Sequence, residues 1–187
     1  MLDCRRPESD IAAMRRLMLL RHAKTERAGA GQRDRDRALT PRGRADAPVI
    51  GAYMVKHRLV PDLVLVSPAT RALETWTLLA PSFAKPPASL SDERLYNAGP
   101  DKLIAILKEP RAARTLLVIG HNPSLHDLAV ALIASGDVEA RERVTEKLPT
   151  SGLVVLDLAF DDWSKLHPQS GRLERFVSPR LIGAATE

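Results

Sequence analysis

The sequence has little cysteine and no long apolar run. Its single cysteine, Cys4, excludes an internal disulfide and a cysteine-rich zinc site. The longest uninterrupted apolar stretch, Leu128–Ala134, is far shorter than the roughly 20 residues that a membrane-spanning helix needs. Charged residues are scattered through the segment before Leu17, so the apolar core of a signal peptide does not fit there. We therefore expect a cytoplasmic protein that does not bind a membrane.

The rest of the composition is that of an ordinary globular protein. Hydrophobic residues make up 44% and charged residues 27% of the 187 positions, which excludes a disordered or collagen-like chain. The length suits one domain with one buried core. Residues 1–14 mix charges without a sustained period, so we interpret them as a poorly ordered N-terminal extension, unless the start codon is assigned too far upstream. We expect residues 15–187 to form the single domain.

The net charge of +5 is concentrated between Arg21 and Arg44. This stretch has three acidic residues and eight basic ones, namely Arg21, Lys24, Arg27, Arg33, Arg35, Arg37, Arg42 and Arg44. Such a focused patch attracts anions. Aromatic residues make up only 4% of the chain and none lies in this stretch, so the base stacking typical of nucleic-acid surfaces is absent from it. The patch favours phosphorylated small molecules or phosphoproteins as partners over nucleic acid.

Short apolar runs alternate with helical patterns along the chain. The runs predict buried strands at Leu17–Leu20, Leu63–Val66, Leu116–Ile119 and Leu153–Leu158. Helices are predicted from Thr40, a good N-cap before Pro41, toward His57, and at Ala69–Ala80, Asp101–Lys108 and Ser124–Ala134. This alternation predicts an α/β fold, a three-layer sandwich in which helices flank a mostly parallel central sheet.

Residue types that suit a phosphate group follow three of the four predicted strands. In sheets of this kind, ligands bind beyond the carboxyl ends of the strands. The residues after the four strands are Arg21-His22, Ser67-Pro68 with Arg71, Gly120-His121-Asn122, and Ala159-Phe160. Each piece alone is weak, because a histidine at a strand end is often a packed core residue and an arginine is usually solvated. Together, two histidines and two arginines at one sheet edge match a phosphoryl group, which needs one nucleophile and several fixed positive donors.

Longer motifs around these positions resemble the histidine phosphatase superfamily, which includes the cofactor-dependent phosphoglycerate mutases. The opening motif Leu19–Thr25 is most similar to the SixA-type phosphohistidine phosphatases, with Ala23 where glycine is common elsewhere in the superfamily. The resemblance extends from Leu17 to Phe176 and includes Leu39–Gly43, Val66–Pro68 with Arg71, Ala72 and Thr75, Val118–Pro123, Pro149–Gly152 and Trp163.

This resemblance implies a phosphoglycerate mutase-like fold and a metal-independent phosphatase with no cofactor. It implies that His22 becomes phosphorylated and that water then hydrolyses the phosphohistidine. Arg21, Arg71 and His121 would surround the phosphoryl group, and Asn122 would be a further substrate-binding residue. In agreement with this, no spacing of acids or histidines resembles a metal site.

The resemblance leaves the general acid open. Phosphoglycerate mutases place a glutamate in a Glu-Arg-x-Tyr context, and Glu93-Arg94-Leu95-Tyr96 is similar. Glu93 is a catalytic acid only if it is buried in the pocket, and otherwise it is a solvated loop residue beside Asp92. SixA-type enzymes are not expected to need such an acid, because a protonated imidazole leaves phosphorus more readily than an alkoxide does.

Three functions remain open at this point. The first is a phosphohistidine phosphatase acting on a phosphorylated protein in signal transduction, such as a histidine-phosphotransfer domain. The second is a phosphatase for a small phosphoester or a mutase, although no long insertion closes the site against water. The third is a non-catalytic module that binds phosphoryl groups or polyanions. We expect the loop Glu26–Ala38 to form the rim of an open pocket, which favours the first function.

Overall fold

A seven-stranded sheet forms the centre of the molecule. The computed structural model describes residues 14–109 and 112–184, so the predicted N-terminal extension lies almost entirely outside the described residues. The strands are β1 (Arg15–Arg21), β2 (Leu63–Val66), β3 (Ala88–Ser91), β4 (Thr115–Gly120), β5 (Ile133–Gly136), β6 (Leu153–Leu158) and β7 (Gly171–Val177). Their order in the sheet is β3-β2-β4-β1-β6-β7-β5.

Helices cover both faces of the sheet. They are α1 (Pro41–Lys56), α2 (Thr70–Leu79), α3 (Pro100–Leu107), α4 (Ser124–Leu132), α5 (Val138–Glu146) and α6 (Pro179–Ala184). Short 3-10 turns lie at Asp34–Asp36, Ala80–Ser82, Glu93–Leu95 and Trp163–Lys165. Within the described part of the chain, no helix is both long enough and apolar enough to cross a membrane.

Two hydrophobic cores result from the alternation of side chains along the strands. In β1, Leu17 and Leu19 face a core shared with α3, α4 and α5. Met18 and Leu20 face a second core, shared with α1 and α2. Because successive strand residues point to opposite faces, a run that is apolar throughout is buried on both sides. The predicted three-layer α/β sandwich is confirmed.

The sheet is mostly parallel. Strands β3, β2, β4 and β1 are parallel neighbours, whereas β6 is antiparallel to both β1 and β7. The four predicted strands and the four predicted helices are present, and α1 begins after its Thr40 cap and continues through Pro48 to Lys56.

Some boundaries and directions differ from the prediction. The helix predicted over Ser124–Ala134 ends at Leu132, and Ile133–Gly136 forms β5 instead. Ala159-Phe160, which follows the fourth predicted strand, does not lie at the edge where the other three strands end, because β6 is antiparallel to β1 and its end lies at the opposite edge. The start of β6 reaches the shared edge, where the Ser151 N–H donates to the Arg21 carbonyl over 3.1 Å.

Candidate active site

The ends of three neighbouring strands meet at one edge of the sheet. Arg21 at the end of β1 is in register with Gly120 at the end of β4, and the His22 N–H donates to the Gly120 carbonyl over 3.0 Å. On the other side of β4, the Ser67 N–H donates to the Ile119 carbonyl over 2.9 Å. A pocket of about 810 Å³ opens above this edge, and five of the predicted site residues line it: Arg21, His22, Arg71, His121 and Asn122.

His22 is held in the form that a nucleophile requires. Its side chain is 7% exposed, and its Nδ1 lies 2.8 Å from the Ala23 carbonyl oxygen. A carbonyl only accepts, so Nδ1 carries the proton and the lone pair is on Nε2. Burial lowers the pKa of His22 to about 3; the hydrogen bond to the Ala23 carbonyl opposes this shift, and the nearby His121, Arg71 and Arg21 add to it. The imidazole is therefore neutral across the physiological range.

Helix α2 fixes the peptide that orients His22. The Ala23 N–H donates to Thr75 Oγ1 over 3.0 Å, and the same hydroxyl donates to the Arg71 carbonyl over 2.6 Å. Ala23 and Thr75 are both fully or almost fully buried, so water does not compete for these hydrogen bonds. The orientation of the His22 ring is thus linked to the helix that carries Arg71.

His121 lies beside His22 and is also neutral. The two ring centroids are 5.0 Å apart. Nδ1 of His121 accepts a hydrogen bond from Arg71 Nε over 3.3 Å, so the proton is on Nε2, which donates to Ser67 Oγ over 2.6 Å. Burial, together with the charge of Arg71, lowers the pKa of His121 to about 4.

Arg21 and Asn122 are held by one carbonyl. Arg21 Nη1 and Asn122 Nδ2 donate to the Leu148 oxygen over 3.0 and 2.9 Å. Among the described residues, the buried Arg21 Nε and Asn122 Oδ1 have no hydrogen-bond partner. Burial lowers the pKa of the Arg21 guanidinium, yet an arginine remains charged in proteins. Arg21 therefore retains a buried donor that no described residue uses.

Arg71 is clamped by Asp34, a residue that sequence reasoning missed. Arg71 is 6% exposed; its Nη1 donates to the Asp34 carbonyl over 2.6 Å and its Nη2 to the Asp34 carboxylate over 2.9 Å. These contacts occupy the end of the guanidinium and leave its Nε side toward His121. Hydrogen bonds from Arg37, and then from Arg71 and Tyr96, lower the pKa of Asp34 to about 2. The loop Glu26–Ala38 therefore lies at the pocket, as predicted, and contributes Glu26, Arg27, Asp34 and Arg37 to its lining.

Glu93 is not brought together with the other predicted residues. It does not line the pocket; its side chain is 69% exposed and forms an ion pair with Arg35 over 2.6 Å. The burial on which its role as an acid depends is therefore not present.

The five residues in the pocket suit phosphoryl transfer. A neutral imidazole with a free lone pair lies beside two guanidinium groups and a second imidazole, in a pocket that opens to solvent. Fixed positive donors of this kind stabilise the charge on the oxygens of a transferring phosphoryl group. No group of three His, Cys, Asp or Glu side chains positioned to hold a metal ion occurs among residues 14–109 and 112–184.

Comparisons with known proteins agree with this geometry. The family model of the histidine phosphatase superfamily (branch 1) matches residues 17–96, which include Arg21, His22 and Arg71. An uncharacterized protein of Mycobacterium tuberculosis is 39% identical over 164 residues, which cover 86% of this chain and 100% of the relative.

The family model ends at residue 96, and solved structures with the same fold also cover the strands that follow it. The crystal structure of a candidate phosphohistidine phosphatase SixA from Agrobacterium tumefaciens superposes with a TM-score of 0.75 at 30% identity and covers 88% of this chain and 98% of its own. The protein histidine phosphatase SixA in complex with tungstate superposes with a TM-score of 0.68 at 22% identity, over 89% and 99% of the two chains. The chain belongs to the histidine phosphatase superfamily, whose members are phosphatases or mutases, and within it to the SixA type.

Proposed function

We propose that this protein is a phosphohistidine phosphatase that transfers the phosphoryl group of a phosphorylated protein to Nε2 of His22 and then to water. The observation that carries the proposal is the buried, neutral His22 ring, whose Nδ1 proton is held by the Ala23 carbonyl beside two guanidinium groups. The similarity to a candidate phosphohistidine phosphatase from Agrobacterium tumefaciens supports the choice of substrate.

In the first step, the Nε2 lone pair of His22 attacks phosphorus. The bond between phosphorus and the substrate nitrogen breaks, and its electron pair stays on that nitrogen. Arg21 and Arg71, which both line the pocket, compensate the charge on the phosphoryl oxygens. The Ala23 carbonyl stabilises the positive charge that develops on the His22 ring, because it accepts the Nδ1 proton.

In the second step, water attacks the phosphorus of the phosphorylated His22. The bond between phosphorus and Nε2 breaks and its electron pair returns to Nε2, which restores the neutral imidazole, and inorganic phosphate leaves with the two protons of the water. The pocket opens to solvent beside Lys24 and Thr25, so water reaches the intermediate without a movement of the chain. Such access favours hydrolysis over the retention of the phosphoryl group that a mutase requires.

The chemistry of the leaving group explains why the pocket needs no carboxylic acid. An imidazole that is already protonated on its distal nitrogen leaves phosphorus as a neutral ring. Glu93, paired with Arg35 outside the pocket, has no part in this step. An alkyl phosphoester would lack that advantage, so we propose that phosphohistidine is hydrolysed in preference to small phosphoesters.

The test is phosphate release from a histidine-phosphotransfer domain phosphorylated on its histidine, measured with EDTA present. Wild type, His22→Ala and His126→Ala are compared. His126 is a suitable control because its Nε2 bonds to the Val144 carbonyl over 2.7 Å and its side chain does not line the pocket.

We expect rapid release by wild type and His126→Ala, and a loss of at least about 10³-fold in His22→Ala, since removal of a covalent nucleophile abolishes the pathway. Folded wild type that releases no phosphate from this substrate, but hydrolyses small phosphoesters, would contradict the phosphohistidine assignment. Activity that depends on a divalent metal ion would contradict the metal-independent mechanism.

A further inference from the structure

A second depression, of about 480 Å³, lies beside the catalytic pocket. We call it the basic groove; α1, α5, the end of β7, α6 and the segment that leads into β6 form it. Its apolar part consists of Pro149, Phe176 and Leu181, which are half-buried. Four basic side chains surround this apolar part: Arg42, Arg143, Lys147 and Arg180. Apolar surface bordered by exposed cations is typical of a protein interface rather than of a small-molecule pocket.

The positive charge of the groove is not balanced within the described chain. Two acids also line it: Asp46, which pairs with Arg42 over 3.6 Å, and Glu146. Arg143 pairs with Glu139 over 2.5 Å, so within the described chain the unpaired positive charge is that of Lys147 and Arg180. Among residues 14–109 and 112–184, neither Lys147 nor Arg180 has a carboxylate within 4.0 Å, and both side chains are exposed. Cations without internal partners create a field that attracts an acidic surface.

One segment separates the basic groove from the catalytic pocket and lines both. Thr150 faces both depressions, and Lys147 and Pro149 face the groove. Between them, the Leu148 carbonyl accepts the hydrogen bonds of Arg21 and Asn122 on the catalytic side. A molecule that occupies the groove is therefore in contact with the wall of the site that would hold the phosphoryl group.

A protein-borne phosphohistidine needs such a neighbouring surface. The histidine side chain is short, so the surface around it must approach the rim of the pocket before the phosphorus reaches His22. A free phosphorylated amino acid has no such surface and would occupy the catalytic pocket alone. A depression beside the catalytic pocket is thus within reach of a macromolecular substrate but not of the free amino acid.

We infer that the basic groove is the docking surface for an acidic protein surface next to the phosphohistidine of the substrate. This inference rests on the proposed function, and names the surface by which that function selects a protein. Lys147 and Arg180 bind carboxylates of the partner, and the apolar part of the groove packs against its apolar side chains.

The test compares two substrates that share the phosphorus–nitrogen bond. One is a histidine-phosphotransfer domain with acidic residues around its phosphorylated histidine, and the other is the free amino acid phosphohistidine. The variant is the double substitution Lys147→Glu and Arg180→Glu in the full chain. The matched control is Lys85→Glu with Lys108→Glu, which makes the same charge change on the segments before β3 and β4, at the opposite sheet edge.

We expect the groove variant to lose about tenfold or more in kcat/KM on the phosphotransfer domain at low ionic strength, as loss of electrostatic steering implies. The loss should shrink at high salt. Hydrolysis of free phosphohistidine should match wild type, and the control variant should match wild type on both substrates.

Three results would overturn the inference. Equal rates of wild type and groove variant on the phosphotransfer domain would show that the groove does not dock it. If the groove variant lost equal activity on both substrates, its substitutions would act on the chemical step. If the control variant lost as much activity as the groove variant, the cause would be the change in net charge. Wild type that hydrolyses neither substrate would instead refute the proposed function, on which the inference rests.

Discussion

The reactivity of His22 depends on which ring nitrogen carries the proton and which one is free to attack phosphorus. Nδ1 is committed to the Ala23 carbonyl, whose own peptide is held by Thr75, so only Nε2 is free for phosphorus. Burial keeps the ring neutral, and the adjacent cations act in the same direction. One local arrangement thus supplies both the orientation and the protonation state that a nucleophile needs.

The same burial predicts a dependence of stability on pH. The pKa of His22 is about 3 in the folded protein and near 6.5 in the unfolded chain, so the unfolded state binds more protons as the pH falls through this window. Wild type therefore loses stability from His22 as the pH drops below 6.5. Between pH 7 and pH 4, we expect the Tm of His22→Gln to fall less than the Tm of wild type. The difference between the two decreases should be of the order of 5 °C.

Thermal unfolding in buffers of constant ionic strength checks this prediction. His126→Gln is the matched control for the removal of an imidazole outside the pocket. Parallel curves of Tm against pH for wild type and His22→Gln would refute a neutral, buried His22.

Individual site residues differ in how far the sequence predicts them. Arg21, His22 and His121 follow apolar runs directly, so the rule that ligands bind at strand exits finds them. Asp34 is separated from Arg71 by 37 residues, and its pairing depends on how an irregular loop folds back. The only signal is an acid within a basic stretch, which does not specify a partner. Glu93 is the opposite case: its motif resembles a catalytic one in the sequence, but the structure places it on an exposed turn outside the pocket.

At the scale of elements, the N-terminus of α1 fixes the chain that follows the nucleophile. The Lys24 carbonyl accepts hydrogen bonds from the Thr40 N–H over 2.9 Å and from the Thr40 hydroxyl over 3.2 Å. Thr40 also caps the helix, since its hydroxyl accepts from the Gly43 N–H over 3.0 Å. The motif Leu39–Gly43 thus joins α1 to the segment after His22.

Only glycine fits at position 43, because a neighbouring backbone atom occupies the space that a side chain would need. A Cβ added to Gly43 would lie 2.1 Å from the Lys24 carbonyl oxygen, a backbone atom that no side-chain rotation can move. We expect Gly43→Ala to lower the free energy of unfolding by about 1–3 kcal/mol, as overpacking does, and to lower kcat by displacing the segment that holds His22. Urea unfolding and steady-state kinetics measure the two effects.

The control for this prediction is Gly183→Ala in α6, where an added Cβ meets no heavy atom within 4 Å. Wild-type stability and activity in Gly43→Ala would show that the segment after His22 is not held by α1.

The elements that the sequence misses have weak local patterns. Strand β3 has the sequence Ala-Ser-Leu-Ser and all four of its residues are exposed, so no apolar run identifies it. The first residues of β5 continue the apolar run of α4, which makes the boundary between helix and strand invisible to periodicity. The antiparallel direction of β6 depends on its pairing with β1 and β7, and a buried antiparallel strand has the same apolar run as a parallel one.

At the scale of the whole molecule, two clusters of basic residues lie next to each other at the edge of the sheet where β1 and β4 end, one in the catalytic pocket and one in the basic groove. The stretch Arg21–Arg44 forms one side of the catalytic pocket, as its charge predicts. The basic groove combines residues of α1, α5 and α6, which are more than 100 positions apart along the chain at their extremes. No sequence pattern joins these residues, so the groove is recognised only in the folded molecule.

The most direct test of the account is to identify the residue that carries the phosphoryl group during turnover. A histidine-phosphotransfer domain labelled with ³²P is mixed with the enzyme, and the reaction is stopped within milliseconds under alkaline conditions, in which phosphohistidine is stable. Peptide mapping then locates the label. We expect transient label on the peptide that contains His22, and none on any peptide of His22→Ala. Label on another residue, or phosphate release without any labelled enzyme under conditions that would trap one, would contradict covalent catalysis by His22.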